Sequence, residues 1–189
     1  ELILCNKEEN TLEMVMELEK IAPVHVSEII DFEDVLNLID IYGELFDRSQ
    51  EANQLNLKLR KEKKEFEKET PIIPKKVAYF IWREPWMVAG GNTFINSLLK
   101  LNGWENVFEN NESRYPEIKP EELKRLKPDL ILLSSEPYPF KEKHIEEMRQ
   151  ICNVHVELVD GEYFSWYGSR LIPAFDYFKK LQKLLSGSF

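Results

Sequence analysis

Residues 129–156, DLILLSSEPYPFKEKHIEEMRQICNVHV, decide the fold. Leu130 to Leu133 is an unbroken apolar run bounded by polar turn residues, the pattern of a strand buried on both faces. After a proline-bearing loop, apolar residues return at helical spacing to about Ile151, and Val154-His155-Val156 opens a second strand. Residues 1–26, ELILCNKEENTLEMVMELEKIAPVHV, repeat that order of strand, acidic polar loop, helix and Val-His-Val, with Asn10 and Glu13 spaced as a capping box for the helix. The chain therefore reads as two lobes grown from one βαβ unit. Around the second unit the pattern predicts strands at 77–82, 129–134 and 154–159. It predicts helices near 93–102, 120–126, 141–151 and 170–185. This alternation means an α/β fold with mostly parallel sheets.

Between the lobes, Val35, Leu36, Leu38, Ile39, Tyr42, Leu45 and Phe46 recur at three and four residues. A more charged continuation carries Leu55, Leu57, Leu59 and Phe66. This predicts one long helix over 32–68, weakened slightly at Gly43 and ended by TPIIPKK, residues 70–76. The expected division is 1–31 for the first α/β lobe, 32–70 for the interlobe helix and 71–189 for the second α/β lobe. Residues 77–128 precede the repeated unit in the second lobe, whereas nothing precedes it in the first. Two parallel strands and one helix bury too little surface to stand alone. The first lobe is thus expected to be truncated in this chain or completed by another molecule.

Bulk properties narrow the function classes. At 189 residues, 43% apolar and 31% charged, the chain falls in the soluble globular range, with enough length for one large domain or two lobes. The net charge of -9 argues against a nucleic-acid partner, which needs a basic face. The basic run Lys58 to Lys64 is interleaved with glutamate and reads as a solvated helix face. No apolar run is long enough to span a bilayer. The start, Glu1 to Cys5, has neither the basic region nor the apolar stretch of a signal peptide, and the missing initiator Met fits numbering that begins inside a longer precursor. Cys5 and Cys152 stand apart from any CxxC or Cys/His spacing, which argues against structural zinc and for buried free thiols.

Four loops concentrate unusual residues. In YFIWREPWMVAGGNTF, 79–94, Trp82 and Trp86 precede Gly90-Gly91. The glycines lack the spacings that cradle phosphate, and a strand-to-helix turn needs glycine for geometry alone. VDGEYFSWYGSR, 159–170, packs Tyr163, Phe164, Trp166 and Tyr167 into a turn before Arg170. SSEPYPFKEKH, 134–144, carries Glu136 and Pro137, and ESRYPEIKPEEL, 112–123, carries Arg114 and Tyr115. These loops follow strand ends, where open parallel sheets bind ligands. Aromatic faces stack on flat apolar ligands, and arginines pair with peripheral carboxylates or phosphates. Catalytic patterns are poor: SWYGS is no nucleophile elbow, His25 and His155 sit mid-strand, and His144 reads as a solvated helix residue. Glu84, Glu136 and Glu162 are loop carboxylates able to act as acid or base, but no catalytic residue and no metal site is expected.

The strings FIWREPWMVAGGNTFINSLL, RYPEI, PDLILLSSEPYPFKEKH and VDGEYFSWYGSRL, with NKEEN near the start, together resemble the substrate-binding proteins of ABC importers for vitamin B12, iron-siderophore and haem. The likeness is nearest to the cobalamin-binding branch, spans the chain and is densest over 77–172. It implies two parallel-sheet lobes joined by one long helix (the class III architecture), with the ligand in the cleft between them. It also implies a longer first lobe than this chain carries. Carried over by position, the cleft wall would be Trp82, Trp86, Gly90, Gly91, Arg114, Tyr115, Glu136, Pro137, Phe164, Trp166 and Tyr167. Glu8, Glu9 and Glu13 on the first lobe and Glu162 on the second would dock on permease arginines. The implied ligand is cobalamin or another metal chelate, with no intrinsic cofactor, and the implied location is the periplasm or cell surface. The alternatives are an intracellular chelate-handling protein or enzyme that reuses the fold, and a scaffold whose aromatics are core.

Overall fold

The structure is a computed structural model that describes residues 1–187; Ser188 and Phe189, the end of the expected second lobe, lie outside the described residues. The first lobe holds β1 (Ile3–Asn6), α1 (Leu12–Leu18) and β2 (Val24–Ser27). The two strands pair in parallel, Ile3 opposite Val24 and Asn6 opposite Ser27. α1 is capped by Thr11, whose hydroxyl accepts from the Met14 amide, and not by the expected Asn10. Asn10 is occupied: its side-chain oxygen accepts from the Asn6 amide at 3.1 Å. α1 buries none of its residues, so Leu12, Met14 and Met16 stand exposed.

The long interlobe helix is not continuous. Residues 32–69 form α2 (Phe32–Leu45) and α3 (Ser49–Glu69), with Asp47 in the left-handed region at φ 54° between them. The two helices fold back on each other as an antiparallel hairpin. Asn56 donates to the Leu36 carbonyl at 3.0 Å and to the Asp40 carboxylate at 2.8 Å, and Arg60 grips Glu33 through two bonds of 3.2 and 3.0 Å. Gly43 permits the close approach at the hairpin's bend, because a Cβ there would lie 2.5 Å from that of Ala52. Only α3 is long, and α2 packs with the lobes.

The second lobe follows with β3 (Lys75–Trp82), β4 (Met87–Val88), α4 (Phe94–Leu101), β5 (Trp104–Asn106), α5 (Pro120–Leu126) and β6 (Leu130–Ser134). It is completed by α6 (Glu142–Ile151), β7 (His155–Val159), α7 (Glu162–Ser165) and α8 (Leu171–Ser186). β3, β6 and β7 run parallel at the centre; the far edge of β3 is shared by β5 near its start and antiparallel β4 near its end. The short strands β4 and β5 carry too few residues to announce themselves as periodicity. Alternation along the central strands fills both faces. Val77, Tyr79, Ile81, Leu130 and Leu132 meet α2, α3, α4 and α8, whereas Ala78, Phe80, Ile131 and Leu133 meet the α5 and α6 layer. The βαβ units 3–27 and 130–159 are both parallel, as the repeat of order predicts.

His144 departs from expectation, being buried at 3% exposure. Its Nδ1 accepts the Lys141 amide at 2.8 Å and closes the start of α6, while its ring meets Tyr138 and Phe140 edge-on. Burial in that aromatic corner lowers its pKa. Cys5 and Cys152 are free thiols, Cys5 buried and Cys152 partly so.

The hairpin makes a signed prediction at Gly43. In a continuous exposed helix, Gly43→Ala would stabilise by about 1 kcal/mol. In the hairpin the added methyl must push Ala52 away, and the expected cost is about 1–3 kcal/mol in urea unfolding.

Candidate functional site

A cleft of about 450 Å³ opens where the C-terminal strand ends of both lobes face each other. The first lobe contributes Asn6, Glu8 and Glu9 beyond β1 and Ile29 beyond β2. The second contributes Ile81 from β3, Phe94 and Ile95 from the start of α4, and Tyr115 from the loop before α5. Glu136 and Pro137 follow β6, and Ser165, Trp166 and Tyr167 follow β7. Of the expected wall residues, Tyr115, Glu136, Pro137, Trp166 and Tyr167 are therefore brought together.

Trp166 is the cleft's large free aromatic surface, 54% exposed. It is not loose: its indole N–H donates to Glu136 Oε1 at 2.8 Å, and the Ser165 hydroxyl donates to the same oxygen at 2.8 Å. The same Ser165 hydroxyl lies 2.7 Å from the Gly161 carbonyl, so its one proton is shared between the two acceptors and ties the turn of α7 to Glu136 beside Trp166. Tyr167 packs edge-on against Phe94, with ring centroids 6.0 Å apart, and continues the aromatic wall.

The remaining expected residues take other places. Phe164 is fully buried between Tyr79 and Phe178, with centroids 5.1 and 5.0 Å away. Trp86, partly buried, lies parallel to Phe140 with a 3° interplanar angle and meets Phe80 edge-on, packed against the core on the opposite sheet face. Trp82 is 40% exposed but leans on Tyr138, outside the cleft lining. Gly90 and Gly91 are buried under residues 109–116: a Cβ on Gly90 would lie 2.6 Å from the Ser113 carbonyl oxygen, and one on Gly91 2.2 Å from that of Glu109. The Gly90 amide donates to the Arg114 carbonyl at 2.8 Å, and the Ile118 amide to that of Trp86 at 2.9 Å. The double glycine thus seats the loop that carries Arg114 and Tyr115.

That loop reaches across the cleft. Arg114 pairs with Glu8 of the first lobe, and the Tyr115 hydroxyl donates to the other Glu8 oxygen at 3.0 Å. Glu28 lies 3.8 Å from Arg114 and is itself held by Lys7 at 2.9 Å. Burial first, and the Glu8 charge second, push the Tyr115 pKa up, so the phenol stays protonated as donor across physiological pH. Of the docking carboxylates expected, Glu8 is engaged by Arg114 and Tyr115, Glu9 lines the cleft, Glu13 stands exposed on α1, and Glu162 is paired with Arg170. No group of three or more His, Cys, Asp or Glu is arranged to hold a metal among the described residues.

Sequence reasoning missed Asn6, Ile29, Ile81, Phe94, Ile95 and Ser165 as cleft residues, and it gave Glu8 and Glu9, which also line the cleft, a docking role instead. The isoleucines and Phe94 carry no signal that separates cleft from core. Asn6 did carry one, since it ends β1 as Ser134 ends β6 in the repeated unit.

The model for the family described as periplasmic binding protein matches residues 2–150. The vitamin B12-binding protein BtuF of Vibrio cholerae shares the fold at a TM-score of 0.75 and 16% identity, over 98% of this chain and 74% of that one. A possible iron-binding protein of Staphylococcus epidermidis gives 0.76 at 18% identity, over 97% of this chain and 75% of that one. The haem-binding protein RhuT of Roseiflexus gives 0.76 at 15% identity, over 96% and 74%. No curated protein matches the chain at a significant level. Identities this low carry the fold and no ligand, but a family model matched over most of the sequence carries membership: the chain belongs to the periplasmic binding protein family.

Proposed function

We propose that this chain is the substrate-binding component of an ABC importer and that it captures a corrinoid or a related metal chelate in the interlobe cleft. The observation that carries this reading is Trp166, an exposed indole whose N–H is held by Glu136 and which lines a cleft that both lobes build. A flat chelate stacks on such a face, and the surrounding hydroxyl, amide and carboxylate groups meet its polar rim. The likeness in fold to vitamin B12-, haem- and iron-binding proteins supports the class of cargo. The ligand is cargo, carried without chemical change and not an intrinsic cofactor.

Delivery requires a permease. Glu13 on α1 and Glu162 on α7 are the carboxylates we assign to permease arginines, one on each lobe; Glu9, which lines the cleft, is better placed to meet ligand. We assign the protein to the periplasm or cell surface. No described helix is long and apolar enough to cross a membrane. The 21-residue α3 spans about 30 Å. Together with the α2 hairpin it favours a small hinge motion on binding.

Titration with hydroxocobalamin, haemin and a ferric trihydroxamate, followed by tryptophan fluorescence, tests the reading. Saturable quenching is expected with at least one chelate, and its absence with all of them overturns the proposal. Two tryptophan variants separate cleft from core. Trp86→Ala is expected to cost about 3 kcal/mol of stability, as loss of a packed aromatic does. Trp166→Ala should cost under about 1 kcal/mol of stability, as exposed substitutions do, yet weaken binding at least about tenfold. Arg114→Ala should speed amide exchange in the loops around residues 8 and 114 while leaving β3 and β6 protected; unchanged exchange in both loops would show that the cross-lobe pair holds nothing.

A further inference from the structure

Among the described residues, the charged ones lining the cleft are Glu8, Glu9 and Glu136, with no Lys, Arg or His. The three arginines in the loops around it are already committed: Arg83 is paired with Glu84 and with Glu147 at 2.8 Å. Arg114 is held by Glu8 with Glu28 beside it, and Arg170 is paired with Glu162 and stacked over the Tyr163 ring at 4.7 Å. The positive charge that peripheral carboxylates or phosphates would need is therefore neutralised within the protein. The negative charge is not. Glu9 has no hydrogen-bond or ion-pair partner for its carboxylate among the described residues, and Glu136 engages Ser165 and Trp166 through Oε1 alone. Two carboxylates thus line an aromatic-walled cleft with acceptor capacity to spare.

From this we infer that the cleft selects chelates whose rim is neutral or cationic, bearing carboxamide or ammonium groups, and rejects those whose rim bears carboxylates or other anions. The inference rests on the reading of the cleft as a chelate site and sharpens it by naming the rim chemistry. Glu9 and Glu136 accept hydrogen bonds from amide or ammonium N–H groups of the ligand, and such bonds to an ionised acceptor are the stronger kind. An anionic rim would meet the same oxygens as repulsion. Like-charge contact at partly screened positions of this sort costs about one decade of affinity or more.

Matched pairs that share a metal core and differ in rim charge test this. Cobinamide, with carboxamide side chains, is compared with cobyrinic acid, the same corrin with those amides as carboxylates. Ferrioxamine B, with a free ammonium, is compared with its N-succinyl derivative. The amide or ammonium member of each pair that binds should bind at least about tenfold tighter, and the gap should narrow in high salt. Glu9→Gln combined with Glu136→Gln keeps hydrogen-bonding groups in place but removes the charge, and should shrink the gap to under about threefold. Equal or tighter binding of the carboxylate member, or a gap untouched by the double substitution, overturns the inference while leaving the cleft a chelate site. Binding of no probe overturns the proposed function and the inference with it.

Discussion

The cleft depends on a contact between two pieces of backbone. Residues 109–114 lie so close to Gly90 and Gly91 that no side chain fits between them. That seat, locked by the Gly90 amide on the Arg114 carbonyl, projects Arg114 and Tyr115 toward the first lobe. Their joint hold on Glu8 joins the lobes at the mouth of the cleft. A glycine pair that lacks phosphate-loop spacing in the sequence is thus a packing device. Its product is the placement of two side chains far along the chain.

Glu136 carries a second constraint of the same kind. It follows β6, but its Oε1 holds Ser165 and Trp166, which follow β7. Gly161 makes room for this: a Cβ there would sit 2.6 Å from Glu136 Cγ and 2.3 Å from the Ser134 hydroxyl. Adjacent parallel strands bring their terminal loops together, so residues some thirty apart in sequence become one rigid wall. An exposed tryptophan whose N–H is already satisfied offers its π face without losing rotamer freedom on binding.

Much of this was legible in the sequence for identifiable reasons. Leu130 to Leu133, buried on both faces, left an unbroken apolar run, and the paired Val-His-Val segments marked two parallel units. The density of aromatic residues over 159–170 marked the β7 loop, and Trp166 and Tyr167 do line the cleft. Burial was not legible. Phe164 and Trp166 are two residues apart in one aromatic run, yet one is core and the other faces the cleft, a difference set by the single turn of α7. The break between α2 and α3 was hard to see because apolar spacing resumes beyond it, at Leu55 and Leu59, and no proline marks it, although the polar run Asp47 to Glu51 interrupts the pattern. The chain turns at Asp47, in the left-handed region, and the Gly43–Ala52 approach that the turn needs exists only after the helices meet. The pairing of Arg114 with Glu8 crosses more than a hundred residues, and no local pattern encodes it.

These constraints bear on how the cleft recognises anything at all. The lobes are held together by Glu8, Arg114 and Tyr115, and α2 packs Phe32 against Phe175 of the terminal helix, with centroids 6.3 Å apart. Large closure around a ligand would break both contacts, so recognition must come mainly from groups already in position. Preorganised groups discriminate by what they leave unmatched as much as by what they bind. Here the preformed elements are an aromatic face fixed by Glu136 and carboxylate oxygens without cations to balance them. On the proposed reading, shape would admit many flat chelates, and the unbalanced charge would sort among them by the chemistry of the rim.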